Sequence, residues 1–332
     1  MALILKSLGA KVYGLALENK EIDSLYQIAR IPKTLTKEFF VDIRDAERLN
    51  RCVEEINPDN IFHLAAESLV LRSYADPVRT FHVNIIGTFN LLWSATKASN
   101  NPIVIVVTSD KCYRNDESGK PFQEGDPLGG SDPYSASKAC AEIISSSFHD
   151  AFGENLQMKV ATVRAGNVIG GGDWSENRLI PDFFRSIAIS SQLLIRTPDA
   201  TRPWQHVLEP LIGYMAAAEY LDSRPPGPLN SWNFGPKAES VLSVKDVLSR
   251  LVALHPTAKI LLSDETTNKE AKFLSLDSSL ARKQIGWEPI LDIEESIMLT
   301  SRWYSLFFEK QNMQLVTETQ INDYLELALE IY

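Results

Sequence analysis

An uninterrupted apolar run from Ile103 to Val107 constrains the fold more than any other stretch of this 332-residue chain. The run is rich in Val and Ile, and the polar residues that follow it at once are Thr108, Ser109, Asp110 and Lys111. A strand that is apolar at every position is typical of a parallel sheet covered by helices on both faces. In open α/β sheets, ligands bind beyond the carboxyl ends of the strands. The sequence therefore predicts an α/β fold with a functional site directly after this strand.

A tyrosine and a lysine four residues apart form the second informative feature, in the segment SDPYSASK. Asp132 can cap a helix that begins at Pro133. Tyr134 and Lys138 then share one face of that helix. A lysine ammonium one turn away stabilises a phenolate and lowers the pKa of the tyrosine, and Ser109 can hold a substrate oxygen nearby.

This pattern predicts that Tyr134 takes a proton from an alcohol while a hydride leaves for a nicotinamide. Taken alone, Tyr-x-x-x-Lys more often belongs to an ordinary amphipathic helix, with a packed tyrosine and a solvated lysine. The buried strand upstream, in the expected order, favours the catalytic interpretation.

The composition excludes several classes of protein. Asp and Glu number 43 against 33 Lys and Arg, which gives a formal charge of −10 and argues against a nucleic-acid binder. Three scattered cysteines predict neither a disulfide framework nor a metal site and favour the reducing cytoplasm. No apolar stretch is long enough to span a membrane, and MALILKSLGA lacks the flanks of a signal peptide.

Strand and helix patterns alternate along the chain and predict a doubly wound, Rossmann-like and mainly parallel sheet. Besides the run at Ile103, we expect strands at residues 11–17, 39–45, 60–66 and 158–166. A late strand at 230–236 is expected to return to the sheet. The predicted domains are a cofactor-binding domain at 1–165 and a mainly substrate-binding domain at 166–332.

Candidate cofactor contacts lie at the ends of the early strands. Asp42 and Ile43 sit where an adenine ring could be bracketed, although Asp42 could equally be a turn residue. Leu64 precedes the small residues Ala65 and Ala66, which would let a cofactor approach closely. Tight helix packing is an equally good explanation of the two alanines.

The sequence beyond residue 166 predicts substrate recognition. Its glycine-rich loop, GNVIGGGDW, lacks the Gly-Lys-Ser/Thr ending of a phosphate-binding P-loop. A guanidinium matches phosphate oxygens, so Arg202 in TRPWQH is a candidate for a diphosphate contact. A single arginine such as Arg196 is more often simply solvated.

Together these segments resemble the extended short-chain dehydrogenase/reductase family, and within it the nucleotide-sugar 4,6-dehydratases that act on CDP-glucose. The resemblance is carried by HLAAESLVLRSYADP, VTSDKCY, DPLGGSDPYSASK, RAGNVIGGGDW, RLIPD and TRPWQHVLEP. TSDKCY distinguishes the chain from dTDP-glucose dehydratases, in which Glu follows the Asp. Two alternatives stay open: another nucleotide-sugar dehydratase or epimerase, and a catalytically silent protein that binds nucleotide sugars.

The resemblance implies a role for each matching residue. Tyr134, assisted by Lys138 and Ser109, takes the proton of the sugar C4 hydroxyl as the C4 hydride passes to NAD. Asp110 protonates the departing C6 hydroxyl, and the hydride returns to C6. Lys111 occupies the position of the family's Glu base at C5, although a base must be neutral and Asp110 opposes this. The alternative is that Lys111 only sets the charge of Asp110.

The resemblance also implies the full sets of binding residues. The cofactor set is Asp42, Ile43, Leu64, Ala65, Ala66, Thr108, Tyr134 and Lys138. The substrate set is Ser73, Asn167, Arg178, Leu179, Arg202 and His206. The family further implies a homodimer formed by the Tyr134 helix and a helix near residues 77–98, and a product destined for deoxysugars of surface polysaccharides.

One departure from the family concerns the first helix, which no strand and glycine-rich turn precede in this sequence. Such a turn lets the backbone approach a pyrophosphate, so the sequence predicts weak NAD binding. It also predicts a sheet without its first strand, whose neighbours keep unpaired backbone groups or close up. A misassigned start codon is the favoured explanation over a fragment or a natural short form, because all downstream motifs are intact.

Overall fold

Parallel strands dominate the fold. The computed structural model describes residues 1–262 and 273–331. The strands in chain order are β1 (Tyr13–Ala16), β2 (Lys37–Phe40), β3 (Asn60–His63), β4 (Ile103–Val107), β5 (Lys159–Ala165), β6 (Val168–Ile169), β7 (Gln192–Ile195), β8 (Thr201–Pro203), β9 (Gln205–His206), β10 (Asn230–Phe234), β11 (Val241–Ser243) and β12 (Lys259–Leu262). The main sheet is parallel throughout and has the order β10-β5-β4-β3. The late strand therefore does return to the sheet.

Helices connect and cover these strands. In chain order they are α1 (Ala2–Ser7), α2 (Leu25–Ile28), α3 (Ile31–Thr34), α4 (Ala46–Ile56), α5 (Val70–Ala75), α6 (Pro77–Phe81), α7 (Gly87–Ala95), α8 (Pro133–Phe148), α9 (Glu154–Leu156), α10 (Leu179–Ala188), α11 (Leu208–Asp222), α12 (Val244–Leu254), α13 (Ser279–Ile285), α14 (Ile293–Phe308) and α15 (Met313–Ile331). Short π-helical turns follow α6 and α8, and 3₁₀ turns lie at Asp110–Cys112 and Ala238–Ser240. Within the described residues, no helix has the length and apolarity needed to cross a bilayer.

The side chains of β4 alternate between two hydrophobic cores. Ile103 and Ile105 pack with residues of α11, whereas Val104 and Val106 pack on the opposite face with residues of α4 and α7. All four are buried. This alternation requires helices on both faces of the sheet, and it confirms the doubly wound α/β architecture predicted from the apolar run.

Strand β3 is shorter than the strand expected at residues 60–66, and most of it is not buried. Of its four residues only His63 is buried, because β4 is the only strand that pairs with β3 in the described part of the chain. Strands β1 and β2 form a separate two-stranded parallel sheet. Leu15 of β1 packs against the core that contains Val104, so this pair lies on the same hydrophobic core as the main sheet.

The C-terminal region has a core of its own, rich in aromatic residues. Phe184 stacks on Tyr304, with ring centroids 4.1 Å apart, and Trp303 packs edge-on against Tyr304. Strand pairs β7–β12, β8–β11 and β6–β9 surround this core. The glycine-rich loop reaches it through Trp174, which contacts Tyr304 edge-on.

Candidate active site

The turn that follows β4 buries a hydroxyl and a carboxyl group. The Ser109 hydroxyl accepts a hydrogen bond from the Lys111 amide (3.2 Å) and donates one to Asp110 Oδ1 (3.0 Å). Asp110 Oδ2 is buried and has no hydrogen-bond partner among the described residues. Burial raises the pKa of Asp110, and the charge of Lys111 is the main influence that lowers it. A carboxyl group in this position is suited to hold a proton and to donate it.

Helix α8 presents the predicted tyrosine and lysine to this turn. Asp132 caps the helix by accepting from the Ser135 amide (2.9 Å), and Pro133 is its first residue, as predicted. The Ser73 hydroxyl accepts from the Tyr134 amide (3.1 Å) and donates to the Val70 carbonyl (2.7 Å). Ser73, expected among the substrate contacts, thus holds the start of α8 in place through two backbone groups.

Burial dominates the protonation of Tyr134 and Lys138. It raises the pKa of Tyr134 to about 12, while a hydrogen bond with Ser109 and the charge of Arg178 lower it. Burial also lowers the pKa of Lys138 to about 8, and the Lys138 ammonium donates to the Val107 carbonyl (3.0 Å). The structure therefore places the Ser109 hydroxyl, more than the lysine, in the position that favours ionisation of the phenol.

The candidate cofactor residues lie beyond the carboxyl ends of β2 and β3. Asp42 accepts three hydrogen bonds from the Arg44 side chain, and these lower the pKa of its carboxyl group. Ile43 is buried against Gly87, where a Cβ atom would lie 2.4 Å from Ile43 Cδ1. Leu64 is exposed, and the two half-buried residues that follow it are Ala65 and Ala66.

Thr108 is placed differently from the other cofactor candidates. Its hydroxyl donates to Glu142 of α8 and lies 3.3 Å from the Val163 carbonyl. Glu142 also pairs with Arg164 of β5, and both side chains are buried. The sequence analysis missed this pair. Two signals pointed to it: Glu142 follows Lys138 by four residues, and Arg164 interrupts an apolar strand.

The candidate substrate residues approach the same turn from the C-terminal region. Arg178 pairs with Asp173 (3.1 Å). Arg202 is buried, and its charge lowers the pKa of Asp110. Burial lowers the pKa of His206 to about 4, and His206 Nε2 has no hydrogen-bond partner among the described residues.

Asn167 and Leu179 complete the substrate candidates. The Asn167 carbonyl accepts from the Gln205 amide (3.1 Å), which joins the loop after β5 to β9. Leu179 is the first residue of α10 and directly follows Arg178. Both residues are partly exposed.

Two further buried polar side chains, Asn84 and His63, lie close to α8. The Asn84 amide lies in the π-helical turn after α6, donates to the Glu67 carbonyl (2.9 Å) and Ser137 Oγ (2.8 Å), and accepts from the Glu67 amide. These hydrogen bonds join the segment of Glu67 to α8. His63, which the sequence analysis missed, is buried at the end of β3. Burial and the charge of Lys138 lower its pKa to about 3.

Comparisons with known proteins identify the relatives of the chain. The family model described as GDP-mannose 4,6 dehydratase matches residues 1–223. A CDP-glucose 4,6-dehydratase of Salmonella typhimurium is 40% identical over 331 residues, covering 98% of this chain and 92% of that protein. A dTDP-glucose 4,6-dehydratase of Haemophilus influenzae is 26% identical, covering 80% and 81%.

A solved structure shares the fold at lower identity. The UDP-glucose-4-epimerase of Stenotrophomonas maltophila, with bound NAD and formylated UDP-arabinopyranose, superposes with a TM-score of 0.78. It is 19% identical and covers 93% of this chain and 95% of that one. The shared architecture agrees with the parallel, helix-covered sheet described above.

Proposed function

Because the chain belongs to the GDP-mannose 4,6-dehydratase family, of the extended short-chain dehydrogenase/reductase type, we propose that it dehydrates CDP-glucose to CDP-4-keto-6-deoxyglucose. The observation that carries this proposal is the buried cluster of Ser109, Asp110 and Tyr134, which combines a proton acceptor for one hydroxyl with a proton donor for another. The preference for CDP-glucose rests on the Salmonella relative and on the TSDK sequence.

The residues present fit NAD as the resident cofactor. Arg44 keeps the Asp42 carboxyl ionised, so that it can accept from the amino group of an adenine. Ala65 and Ala66 carry no bulk after β3. Lys138 is a buried cation one helical turn after Tyr134 on α8. When bound, NAD supplies a reversible acceptor for the C4 hydride.

The side chains of this site act on the hydroxyl protons of the sugar. Tyr134 removes the C4 hydroxyl proton, and Ser109 holds the phenol through its hydroxyl. Asp110, whose pKa burial raises, donates its proton to the C6 hydroxyl, which leaves as water. Lys111 is the candidate base for the C5 proton. Its second interpretation, as the charge that sets the ionisation of Asp110, agrees with its effect on the pKa of that carboxyl group.

We assign substrate recognition mainly to residues 166–332 and cofactor recognition mainly to residues 1–165, together with 230–236. Arg178 and Arg202 both influence groups of the catalytic cluster through their charge, so both can neutralise the diphosphate of a nucleotide sugar. The three free cysteines suit the reducing cytoplasm, where we place the protein. We propose that the keto-deoxy product serves deoxysugar and surface polysaccharide synthesis.

A turnover assay tests the proposed function. The purified protein is incubated with CDP-glucose and a large excess of NAD, and the mass of the sugar nucleotide is measured by mass spectrometry. We expect the loss of one water. An unchanged mass with an altered sugar would identify an epimerase, and dehydration of UDP-glucose or dTDP-glucose in preference to CDP-glucose would identify a different dehydratase.

Binding without turnover would identify a catalytically silent protein. A thermal melt distinguishes this outcome from misfolding, because a ligand that binds the folded state raises the melting temperature.

We further propose that the protein is a homodimer. Exposed apolar side chains of α7 and the adjoining π-helical turns continue onto α8, and they are Ile86, Phe89, Trp93, Ile143 and Phe152. Trp93 packs edge-on against Phe152, which makes the surface continuous across these elements. A second copy of the chain can cover this patch symmetrically.

Sedimentation analysis tests the dimer. We expect Trp93→Glu to give a monomer, because it places a charge in the centre of the apolar patch. The matched control is Ile189→Glu, which alters an exposed apolar residue after α10 and should leave the dimer intact. A monomeric wild type, or a dimer that survives Trp93→Glu, would overturn this proposal.

A further inference from the structure

Glu142 occupies the centre of a buried hydrogen-bond network behind the catalytic cluster. It lies one helical turn beyond Lys138 and is 3% exposed. Its carboxylate accepts from the hydroxyls of Thr108 and Thr162 (the latter at 2.7 Å) and from two nitrogens of Arg164 (2.9 and 2.8 Å). One side chain of α8 is thereby bonded to the end of β4 and to the middle of β5.

Arg164 extends this network to the loop that follows the Asp110–Cys112 turn. Its Nη1 atom donates to the Tyr113 hydroxyl (2.6 Å) and to the Glu124 carbonyl (3.0 Å). The Tyr113 hydroxyl in turn donates to Asn233 Oδ1 on β10 (2.7 Å). The network thus fixes both ends of the segment that contains Asp110, since Thr108 precedes it and Tyr113 follows it.

We propose that Glu142 is a positioning residue of the dehydratase site, which holds the helix of Tyr134 and Lys138 in register with the segment of Ser109 and Asp110. The inference rests on the proposed function, because it assigns Glu142 to the site that performs that reaction. A side chain held by four hydrogen bonds from two strands has little freedom to move. Displacement of reacting groups by about 1 Å can cost roughly 100-fold in rate.

The charge of Glu142 adds an electrostatic consequence to this geometry. It raises the pKa of Lys138, in opposition to burial, which lowers that pKa to about 8. The other titratable groups that face Lys138 are Cys112, which also raises its pKa, and His63, whose own pKa of about 3 leaves it neutral. Removal of the Glu142 charge should therefore lower the pKa of Lys138.

Glu209 offers a matched control. It is a fully buried carboxylate on α11 that accepts from the Ile290 and Leu291 amides and from the Tyr324 hydroxyl (2.9 Å). These partners join α11 to the C-terminal segment and include none of the candidate site residues. Glu209→Gln should therefore perturb a buried, hydrogen-bonded carboxylate without a direct effect on the site.

The kinetic test compares Glu142→Gln with Glu209→Gln, using CDP-glucose and excess NAD across a range of pH. We expect Glu142→Gln to lower kcat about 10- to 100-fold with little change in KM. Its alkaline limb should move to lower pH, because the charged form of Lys138 is lost earlier. Glu209→Gln should keep the wild-type kcat and pH profile. A wild-type kcat and profile in Glu142→Gln would overturn the inference.

Thr162→Val provides a second variant in case Glu142→Gln fails to fold. It removes one donor to Glu142 but keeps the ion pair with Arg164. We expect a several-fold lower kcat at unchanged KM, and a wild-type kcat would count against the inference.

Competitive labelling with trace acetic anhydride tests the inference without turnover. It measures the pKa of Lys138 by mass spectrometry in the wild type and in both Gln variants. We expect a lower pKa in Glu142→Gln only, and equal values in all three proteins would overturn the inference. If the pKa of Lys138 is lower in Glu142→Gln than in the wild type, but the wild type shows no turnover, the result would contradict the proposed function and not the inference.

Discussion

Two polar clusters lie along α8, and they differ in how completely their atoms are hydrogen-bonded. The front cluster consists of Ser109, Asp110, Tyr134 and Lys138. The rear cluster consists of Thr108, Glu142, Thr162 and Arg164. In the rear cluster both carboxylate oxygens accept two hydrogen bonds each, whereas in the front cluster Asp110 Oδ2 has no partner among the described residues.

This difference suits the front cluster to the proposed reaction and the rear cluster to holding the structure around it. Buried polar atoms without partners destabilise the fold, and proteins retain them mainly where a ligand or a reaction uses them. A fully bonded buried ion pair leaves no atom free for a substrate, but it strongly resists displacement of either partner. We therefore expect substitutions in the front cluster to alter turnover more than stability. Substitutions in the rear cluster should alter both turnover and stability.

Removal of the Tyr134 hydroxyl should give the largest effect. Tyr134→Phe deletes the proposed proton acceptor, and we expect turnover to fall about 100- to 10,000-fold, as is typical of a lost acid–base group. The melting temperature should change little. Mass spectrometry of the product and a thermal melt measure the two effects, with Tyr220→Phe on α11 as the control. If Tyr134→Phe lost stability but kept turnover, the front cluster would have the supporting role that we assign to the rear cluster.

Removal of Arg164 should give the next largest effect, on stability. Arg164→Met leaves the Glu142 carboxylate buried and unpaired, and we expect a loss of about 3–5 kcal/mol in the free energy of unfolding. The double variant Glu142→Met/Arg164→Met should be less destabilised, since no charge is then left alone. Urea unfolding measures both variants. An equal loss of unfolding free energy in the two variants would show that the unpaired Glu142 carboxylate carries no extra cost, which would contradict this prediction.

The smallest effect concerns the pH dependence of stability that Asp110 confers. Because burial raises the pKa of Asp110, the folded state keeps a proton that the unfolded chain has lost. Stability should therefore fall as pH rises from the ordinary carboxyl pKa to the raised one, and then level off. Asp110→Asn should lack this component. Thermal melts of both proteins from about pH 4 to pH 8 measure the difference, and parallel curves would contradict it.

Local signals explain which parts of the fold were predictable from sequence. The apolar run of β4 and the Asp132 cap with Pro133 depend on neighbouring residues in the chain. The helix expected near residues 77–98 is interrupted by a π-helical turn at His82–Ile86, from which Asn84 donates a hydrogen bond to Ser137 of α8. No periodicity in the sequence indicates such a turn.

Long-range pairing explains what sequence reasoning missed at the site. Glu142 and Arg164 lie on different elements, and only the packing of α8 on β5 brings them together. Glu142 also accepts a hydrogen bond from the hydroxyl of Thr108, which the family resemblance assigned to the cofactor set. Sequence motifs thus predicted the residues of the front cluster, whereas the pairing within the rear cluster became visible only in the structure.

The most direct test of the dehydratase account uses CDP-glucose that carries deuterium at C4. Nuclear magnetic resonance and mass spectrometry of the product locate the label after incubation with the protein and excess NAD. We predict the loss of one water and transfer of the deuterium to C6. Deuterium that stays at C4 without loss of water, or that is lost to solvent, would contradict the account.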